Sequence, residues 1–152
     1  RHSLLVKNQT SSMRTNILLI CILMVNDLQA DVAVKVNVHG TLTCSERFHY
    51  RISLWEQDHH ATHDFVARNP TQGSVYATTK YNITGTAEDG FLEWEVEPLM
   101  TIEHSCKTPT PICLCKDLGE RGGDFSEEVD VNLETTDLST TCILCQYARS
   151  RL

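Results

Sequence analysis

The sequence predicts an all-β protein, an antiparallel β-sandwich stabilised by disulfides. Three observations favour this fold class: short segments in which apolar and polar residues alternate, turn-forming residues at short intervals between those segments, and an even number of cysteines after an apolar leader. No stretch after Asp31 has the periodicity of an amphipathic helix, and no internal repeat occurs. A chain of 152 residues, 41% of them apolar, is long enough for one ordinary core.

Two strands are predicted near the start of the domain. Apolar and polar residues alternate in residues 34–38, which places three valines on one face of a half-buried strand. Gly40 interrupts this pattern and indicates a bulge or a close approach of another backbone near the end of the strand. Alternation returns in residues 50–55, which predicts the second strand.

The middle of the chain contains both loop and strand signals. Residues 56–73 include an Asn-Pro pair and show little periodicity, which predicts a long loop of the kind that often carries function. Residues 75–84 are rich in β-branched and aromatic side chains, which favours a strand. An acidic turn ending at Gly90 leads into residues 91–96, and these segments fit a β-hairpin.

The last third of the chain predicts two further strands. Residues 98–106 form the first, with Met100, Ile102 and His104 on one face. Prolines and glycines exclude a long regular element in residues 107–125, and residues 129–133 alternate as a last strand. The sandwich domain therefore covers residues 31–134, and residues 135–152 form a cysteine-containing C-terminal tail, loosely ordered unless its cysteines attach it.

The N-terminal residues are typical of a secretory signal peptide. Met13 is the first methionine, and nine uninterrupted apolar residues follow at positions 17–25. A small residue, Ala30, precedes a plausible cleavage site. We therefore interpret residues 13–30 as a signal peptide and residues 1–12 as an upstream or artefactual segment. A membrane anchor is disfavoured, because a spanning helix needs about twenty apolar residues, so a secreted, extracellular location is expected.

The charge of the mature chain is strongly negative. The whole sequence carries 13 basic and 20 acidic side chains, a net charge of −7. Residues 1–30 contain three basic side chains and one acidic side chain, so their removal leaves 10 basic and 19 acidic side chains and a net charge of −9. Such a surface repels a phosphate backbone, and nucleic-acid binding is therefore not expected.

Six cysteines remain after the signal peptide, and an even number in an exported chain predicts disulfides. They are Cys44, Cys106, Cys113, Cys115, Cys142 and Cys145. Six thiols allow fifteen pairings, of which we favour Cys44 with Cys106. Cys142 and Cys145 have the spacing of a redox or zinc hairpin, but secretion favours disulfides for all six cysteines.

Three short motifs and a closing triplet carry a family resemblance. The motifs are Gly40, Leu42 and Cys44; Leu54, Trp55, Glu56 and Asp58; and Glu97, Pro98, Leu99, Met100, Ile102, His104 and Cys106. The triplet is Asn-Leu-Glu at residues 132–134. Together they resemble the nematode transthyretin-like family of small secreted proteins.

The resemblance implies a transthyretin-like antiparallel β-sandwich that acts outside cells in recognition or carriage. The implied ligand is an extracellular or cell-surface protein, a lipid head group or a small apolar molecule. It implies no catalytic residues and no cofactor, and it leaves oligomer formation open. Since one fold hosts many activities, the ligand does not follow from the fold.

The densest group of potential metal ligands lies in the predicted loop. Asp58 and Asp64 flank three histidines, and His59, His60 and His63 are candidate ligands for zinc or copper. The alternative is a solvated polar loop, which we favour because a flexible loop does not fix ligands by itself. Adjacent imidazoles could also sense pH as it falls towards about six.

A catalytic function is not expected. His104 lies on an apolar face and is interpreted as a hydrogen-bonded core or strand-end histidine, since no nucleophile or acid pair is predicted beside it. Residues 147–150, Tyr-Ala-Arg-Ser, superficially resemble the C-terminal tetrapeptide of hydroxyisourate hydrolases, the enzymes of this fold. The order of residues differs and two residues follow the serine, so hydrolase activity is kept only as an alternative.

Asn82 begins an Asn-Ile-Thr acceptor for N-glycosylation, whereas Asn69 is blocked by Pro70. If Asn82 carries a glycan, its strand edge faces solvent. Trp55 and Trp94 are predicted to pack in the core or on a strand face, because tryptophan contributes a large buried area.

Overall fold

One long strand organises the fold. In the computed structural model, which describes residues 32–57, 63–69, 73–89 and 94–149, β1 extends over 26 residues and pairs with five other strands. The strands are β1 (Val32–Gln57), β2 (His63–Arg68), β3 (Gly73–Asp89), β4 (Pro98–His104), β5 (Ile112–Asp117), β6 (Phe125–Glu128) and β7 (Val131–Asn132), and a short helix, α1 (Leu144–Arg149), follows them. The predicted signal peptide and the segment before it lie outside the described residues.

The seven strands form a single curled sheet. β2, β1, β4 and β5 lie side by side in that order, while β3, β6 and β7 pair with β1. The antiparallel pairing of β1 with β3 shifts register between Thr43 and Arg47, which marks an irregularity of the β-bulge type. A bulge bends a strand and increases its twist. The first half of β1 therefore pairs with β3, β6 and β7, and the second half mainly with β2 and β4.

Alternation along β1 places the core on the inner face of the sheet. The most buried apolar residues of β1 are Val34, Val36, Val38, Leu42, Phe48, Ile52 and Leu54, each at most 1% exposed. They form one cluster with residues of the neighbouring strands, including Ile83, Met100, Ile102 and Leu114. Full burial of such a side chain contributes about 1.5–3 kcal/mol. The strands predicted at residues 34–38 and 50–55 are confirmed, and both belong to β1.

Gly40 is the point where another segment crosses β1 closely. A Cβ atom at this position would lie 2.2 Å from the carbonyl oxygen of Val129, and the Val129 N–H donates to the carbonyl of His39 (2.8 Å). The close approach predicted from the sequence is therefore confirmed. The register of β1 with β3 runs unbroken through Gly40, so the bulge lies further along the strand.

The observed structure differs from the predicted elements in several places. β2 forms where residues 56–73 are predicted to be a loop. It is not predicted because its burial is mixed and its sequence shows little alternation of apolar and polar residues. Residues 94–97 do not form a hairpin strand, since Val96 makes only an isolated bridge with Arg121; residues 91–93 lie outside the described part. β7 covers only part of the strand predicted at residues 129–133, and β6 forms where no strand is predicted. Both run parallel to β1, whereas the predicted sandwich is antiparallel. α1 has six residues, too few for a detectable helical period.

Three disulfides link the strands and attach the tail. Cys44 pairs with Cys106, as favoured from the sequence, Cys113 with Cys145, and Cys115 with Cys142, at Cα–Cα distances of 6.0, 5.6 and 6.2 Å. The Cys115 N–H also donates to the carbonyl of Ser139 (2.8 Å). The tail is thus held against β5 by its own cysteines. An all-β, disulfide-linked structure is confirmed, and the described residues include no helix with the length and hydrophobicity to cross a membrane.

Candidate functional site

The outer face of β1, β4 and β5 presents an ordered grid of side chains. The register aligns Arg51 with Glu103 and Cys113, Ser53 with Thr101 and Cys115, and Trp55 with Leu99 and Asp117. Successive residues of a strand point to opposite faces, so all nine belong to the face opposite the core. The three rows run from the buried centre of the sheet to an open end, and the candidate site lies at that end.

The innermost row contains a buried ion pair. Arg51 and Glu103 are both 8% exposed, and the guanidinium contacts the Glu103 carboxylate through both Nε and an Nη atom. Removing two charges from water costs free energy that only close, hydrogen-bonded contact recovers. The pair therefore fixes the register of β1 and β4 beneath the site, because a slip of one residue would separate the charges.

The next rows form a rigid aromatic platform. The Trp55 indole Nε1 donates to Thr101 Oγ1 (2.9 Å), and Phe65 of β2 packs edge-on against Trp55 with ring centroids 5.4 Å apart. Arg68 lies over the Phe65 ring at 5.4 Å and donates from Nε to Ser53 Oγ (3.3 Å). These contacts hold the second half of β1 between β2 and β4.

The third row ends in a surface groove of about 380 Å³. Its lining consists of Gln57, Glu97, Leu99, Asp117, Gly119 and Glu120. Residues from three separate parts of the chain meet there, at the end of β1, the start of β4 and the end of β5. Leu99 supplies an apolar wall, and the other five contribute carboxylates, an amide or main chain.

Main-chain hydrogen bonds fix the walls of the groove. The Gln57 N–H donates to the Glu97 carbonyl (3.1 Å), and the Leu118 N–H donates to the Pro98 carbonyl (3.1 Å). Gly119 has a φ of 73°, a left-handed conformation that glycine adopts without strain, and its N–H donates to Asp117 Oδ1 (2.7 Å). The tight Asp-Leu-Gly turn therefore keeps the Asp117 carboxylate at the groove.

The groove is acidic. Glu97, Asp117 and Glu120 bring three carboxylates to one concave surface. Of the basic side chains that flank Asp117 and Glu120 in the sequence, Lys116 and Arg121 both form ion pairs with Glu127, at 4.0 and 3.3 Å, and the Arg121 guanidinium also lies close to Gly119 of the groove. Clefts lined by charge of one sign focus the electric field and attract opposite charge.

An exposed tryptophan stands three residues before Glu97. Trp94 is 82% exposed, so the prediction that it packs in the core or on a strand face is wrong. Its main chain lies beside Gly122, next to the bridge of Val96 with Arg121. A short, irregular connection, rather than a strand, leaves the indole without a covering sheet. Trp55, by contrast, is 3% exposed, as predicted.

The predicted histidine cluster is only partly within the described structure. Asp58, His59 and His60 lie outside the described residues. His63 is half-buried at the start of β2 and is aligned with Gln57 of the groove. Whether the three imidazoles meet stays a prediction.

His104 occupies the core side of β4 and is 3% exposed. Its Nδ1 accepts a hydrogen bond from the Cys106 N–H (3.2 Å), and burial lowers the pKa of its imidazole. The neutral ring is therefore favoured, with Nε2 as the protonated nitrogen. No nucleophile among the described residues forms a hydrogen bond with the His104 ring. Residues 147–149 of the tetrapeptide lie in α1, and Ser150 lies outside the described part.

Asn82 is exposed near the middle of β3 and is aligned with His39 of β1. The hydroxyl of its acceptor threonine, Thr84, donates to Asn37 Oδ1 (2.9 Å). The side chain of Asn82 is thus accessible, and glycosylation of this position stays a prediction.

No known protein-family model matches the chain, and no curated protein resembles it in sequence. The groove therefore has to be interpreted from its own chemistry. The groove is not predictable from the sequence, because its residues come from positions 57, 97–99 and 117–120 and meet only through the register of β1, β4 and β5. The one local signal was the Asp-Leu-Gly turn, which is common in loops without function.

Proposed function

We propose that the chain is a secreted extracellular binding protein with a transthyretin-like β-sandwich, and that its acidic groove binds a positively charged segment of a partner protein. The observation that carries this proposal is the convergence of Glu97, Asp117 and Glu120 on one groove. A lysine or arginine side chain of an extracellular or cell-surface protein has the charge and length to reach them.

The strength of the attraction follows from the position of the carboxylates. Two unit charges 4 Å apart interact by about 4 kcal/mol where the effective dielectric constant is near 20, as at a partly enclosed protein surface, and by about 1 kcal/mol in bulk water. Asp117 and Glu120 are exposed, and Glu97 and Leu99 are half-buried, so the attraction lies between these two limits. Three such carboxylates therefore select a cation over an apolar or anionic ligand.

The supporting structure favours binding without rearrangement. The groove lies on the ends of three paired strands, and the Trp55 platform and the Arg51–Glu103 ion pair support the same sheet from its centre. A preorganised site loses less conformational entropy on binding. Trp94, three residues before Glu97 in the sequence, is exposed, and an exposed aromatic ring attracts cations.

The extracellular location rests on the predicted signal peptide and on the three disulfides, which are typical of oxidising compartments. The same setting gives a partner protein access to the groove. No described feature favours hydrolase activity over binding, and binding is therefore the proposed function.

The experiment compares two variants with equal loss of charge. E97Q/D117N/E120Q neutralises the groove, and E46Q/E88Q/E128Q neutralises three exposed carboxylates elsewhere on the chain. Affinity for an arginine- and lysine-rich peptide is measured by calorimetry at low and moderate salt. We expect the groove variant to lose affinity about tenfold or more, and the control variant to lose much less.

Equal losses in both variants would mean that the peptide responds to overall charge alone. Absence of peptide binding to the wild-type chain at both salt concentrations would overturn the proposal. An acidic peptide of the same length provides the ligand control, and it is expected not to bind.

A further inference from the structure

Four of the six cysteines are gathered at one place. Cys113 and Cys115 are two residues apart on β5 and therefore point to the same face. Cys142 precedes α1 and Cys145 lies in its first turn, and the Cys145 N–H donates to the Cys142 carbonyl (3.2 Å). The disulfides Cys113–Cys145 and Cys115–Cys142 join the two pairs. The sequence contributes a Cys-x-Cys and a Cys-x-x-Cys motif to one site.

The two disulfides are in contact with each other. The Cys115 sulfur lies 3.4 Å from the Cys145 sulfur, and the Cys142 sulfur lies 3.6 Å from it, although neither pair is bonded. The sulfurs of Cys113, Cys115 and Cys145 all lie within 4.8 Å of one another. Zinc in a tetrahedral site binds sulfur at about 2.3 Å, which places neighbouring sulfurs about 3.8 Å apart. The two unbonded sulfur pairs therefore already lie near the spacing of a zinc tetrathiolate, and reduction frees the two bonded pairs to separate to it.

We propose that, when these disulfides are reduced, Cys113, Cys115, Cys142 and Cys145 bind one zinc ion as four thiolates. Each disulfide accepts two electrons and two protons from a dithiol, which closes to its own disulfide. Zn²⁺ then displaces the four thiol protons into solvent and forms four zinc–sulfur bonds. The site is a structural one, because all four positions around the metal are filled by protein.

The surroundings suit a closed metal site. Cys113, Cys115 and Cys145 are 2%, 6% and 4% exposed, and Leu99 packs against them. Softness of the ligands selects zinc over calcium or magnesium, which prefer oxygen. Bound zinc would attach the tail to β5 in reducing surroundings, as the disulfides attach it in oxidising ones.

The Cys44–Cys106 disulfide provides an internal comparison. Glu134 is the third member of the only group of potential ligands that includes this pair among the described residues, and its carboxylate already binds Ser45 and Lys107. A pair of cysteines with one engaged carboxylate makes a weaker site than four cysteines. The zinc proposal is independent of the acidic groove and stands or fails separately from it.

The experiment measures zinc retention by the full chain in two redox states. The protein is reduced under anaerobic conditions with a water-soluble phosphine, which is oxidised to its phosphine oxide, then given Zn²⁺ and desalted. We expect about one zinc ion per chain in the reduced protein and almost none in the oxidised protein. The oxidised protein also controls for zinc held by histidines, which do not depend on the redox state. Co²⁺ in place of zinc should give the absorption bands of a tetrahedral cobalt thiolate.

Matched variants assign the site. C142S/C145S should lose retention of zinc and the cobalt bands, whereas C44S/C106S should keep both. Circular dichroism of each reduced variant reports whether the sheet is retained. The proposal is overturned if the reduced wild-type chain retains no more zinc than the oxidised chain, or if C142S/C145S retains as much as the wild type.

Discussion

Glu134 accepts two hydrogen bonds from Ser45, one from the main-chain N–H (3.0 Å) and one from the hydroxyl (2.5 Å). The same carboxylate accepts from Lys107 Nζ at 3.1 Å. Ser45 follows Cys44 and Lys107 follows Cys106, so Glu134 ties together the two chain segments that leave the Cys44–Cys106 disulfide. The Ser45 hydroxyl, the Ser45 main chain and Lys107 lower the pKa of Glu134 from 4.5 to about 2.

This pKa predicts acid sensitivity. Because the folded pKa is depressed, the carboxylate stabilises the fold fully above pH 4.5, and this contribution is lost as pH falls from 4.5 towards about 2. Glu134→Gln should lower the melting temperature near neutral pH and flatten its decline in that acidic range. Thermal unfolding followed by circular dichroism measures both effects. Glu128→Gln, at an exposed position, should keep the wild-type profile; equal profiles for wild type and Glu134→Gln would refute the prediction.

His104 should make stability depend on pH in a second, separate range. Burial lowers the pKa of the folded imidazole, so below the ordinary pKa of about 6.5 the unfolded chain binds a proton more readily than the folded chain. The free energy of unfolding should therefore fall as pH drops from about 6.5 towards the folded pKa. Urea unfolding at a series of pH values measures it. His104→Asn should remove this slope, while His49→Asn, at an exposed position, should retain it.

Gly40 should tolerate no side chain. An added Cβ would meet the Val129 carbonyl oxygen at 2.2 Å, so Gly40→Ala should force the segment before β7 away from β1 and destabilise the fold by about 1–3 kcal/mol or more. Gly123 has nothing within 4 Å of the same built atom, and Gly123→Ala should change stability little. Chemical denaturation of both variants tests the contrast. A similar stability for the two variants would contradict the close approach.

The Arg51–Glu103 pair should show strong coupling between its partners. Arg51→Met or Glu103→Met alone leaves one buried charge uncompensated, which costs about 3–5 kcal/mol. The double variant removes both charges and should be clearly more stable than either single variant. A double-mutant cycle by chemical denaturation gives the coupling directly. Additive losses would indicate that the two side chains act independently.

Strands with one apolar and one polar face are predictable from the sequence, and strands without this contrast are not. The valines at 34, 36 and 38 alternate with polar residues and were recognisable, because the outer face of that half of β1 meets solvent. β2 is an edge strand with mixed burial, and its alternation is too weak to separate it from a loop. The composition does not indicate the bulge after Thr43. The sequence therefore predicts two strands where the structure has one bent strand, β1.

Pairings between distant segments limit how much of the candidate site can be predicted from the sequence. The Cys44–Cys106 disulfide is the pairing that we favour, although the sequence alone does not choose among the fifteen possibilities. The pairing of β5 with the tail depends on where the tail crosses, which no local pattern records. The acidic groove depends likewise on the register of three strands. The exposure of Trp94 is not predictable from the sequence, because it depends on the irregular connection that precedes β4.

The parallel pairing of β6 with β1 has a consequence for how the chain reaches its native state. The side chain of Asn37 donates to Ser126, 89 residues later. The edge of β1 that pairs with β6 therefore stays unpaired until nearly the whole domain has left the ribosome. Long-range pairings of this kind slow folding and leave strand edges open to association with other chains. The first half of β1 is therefore expected to fold slowly, and to need protection from aggregation until β6 has been made.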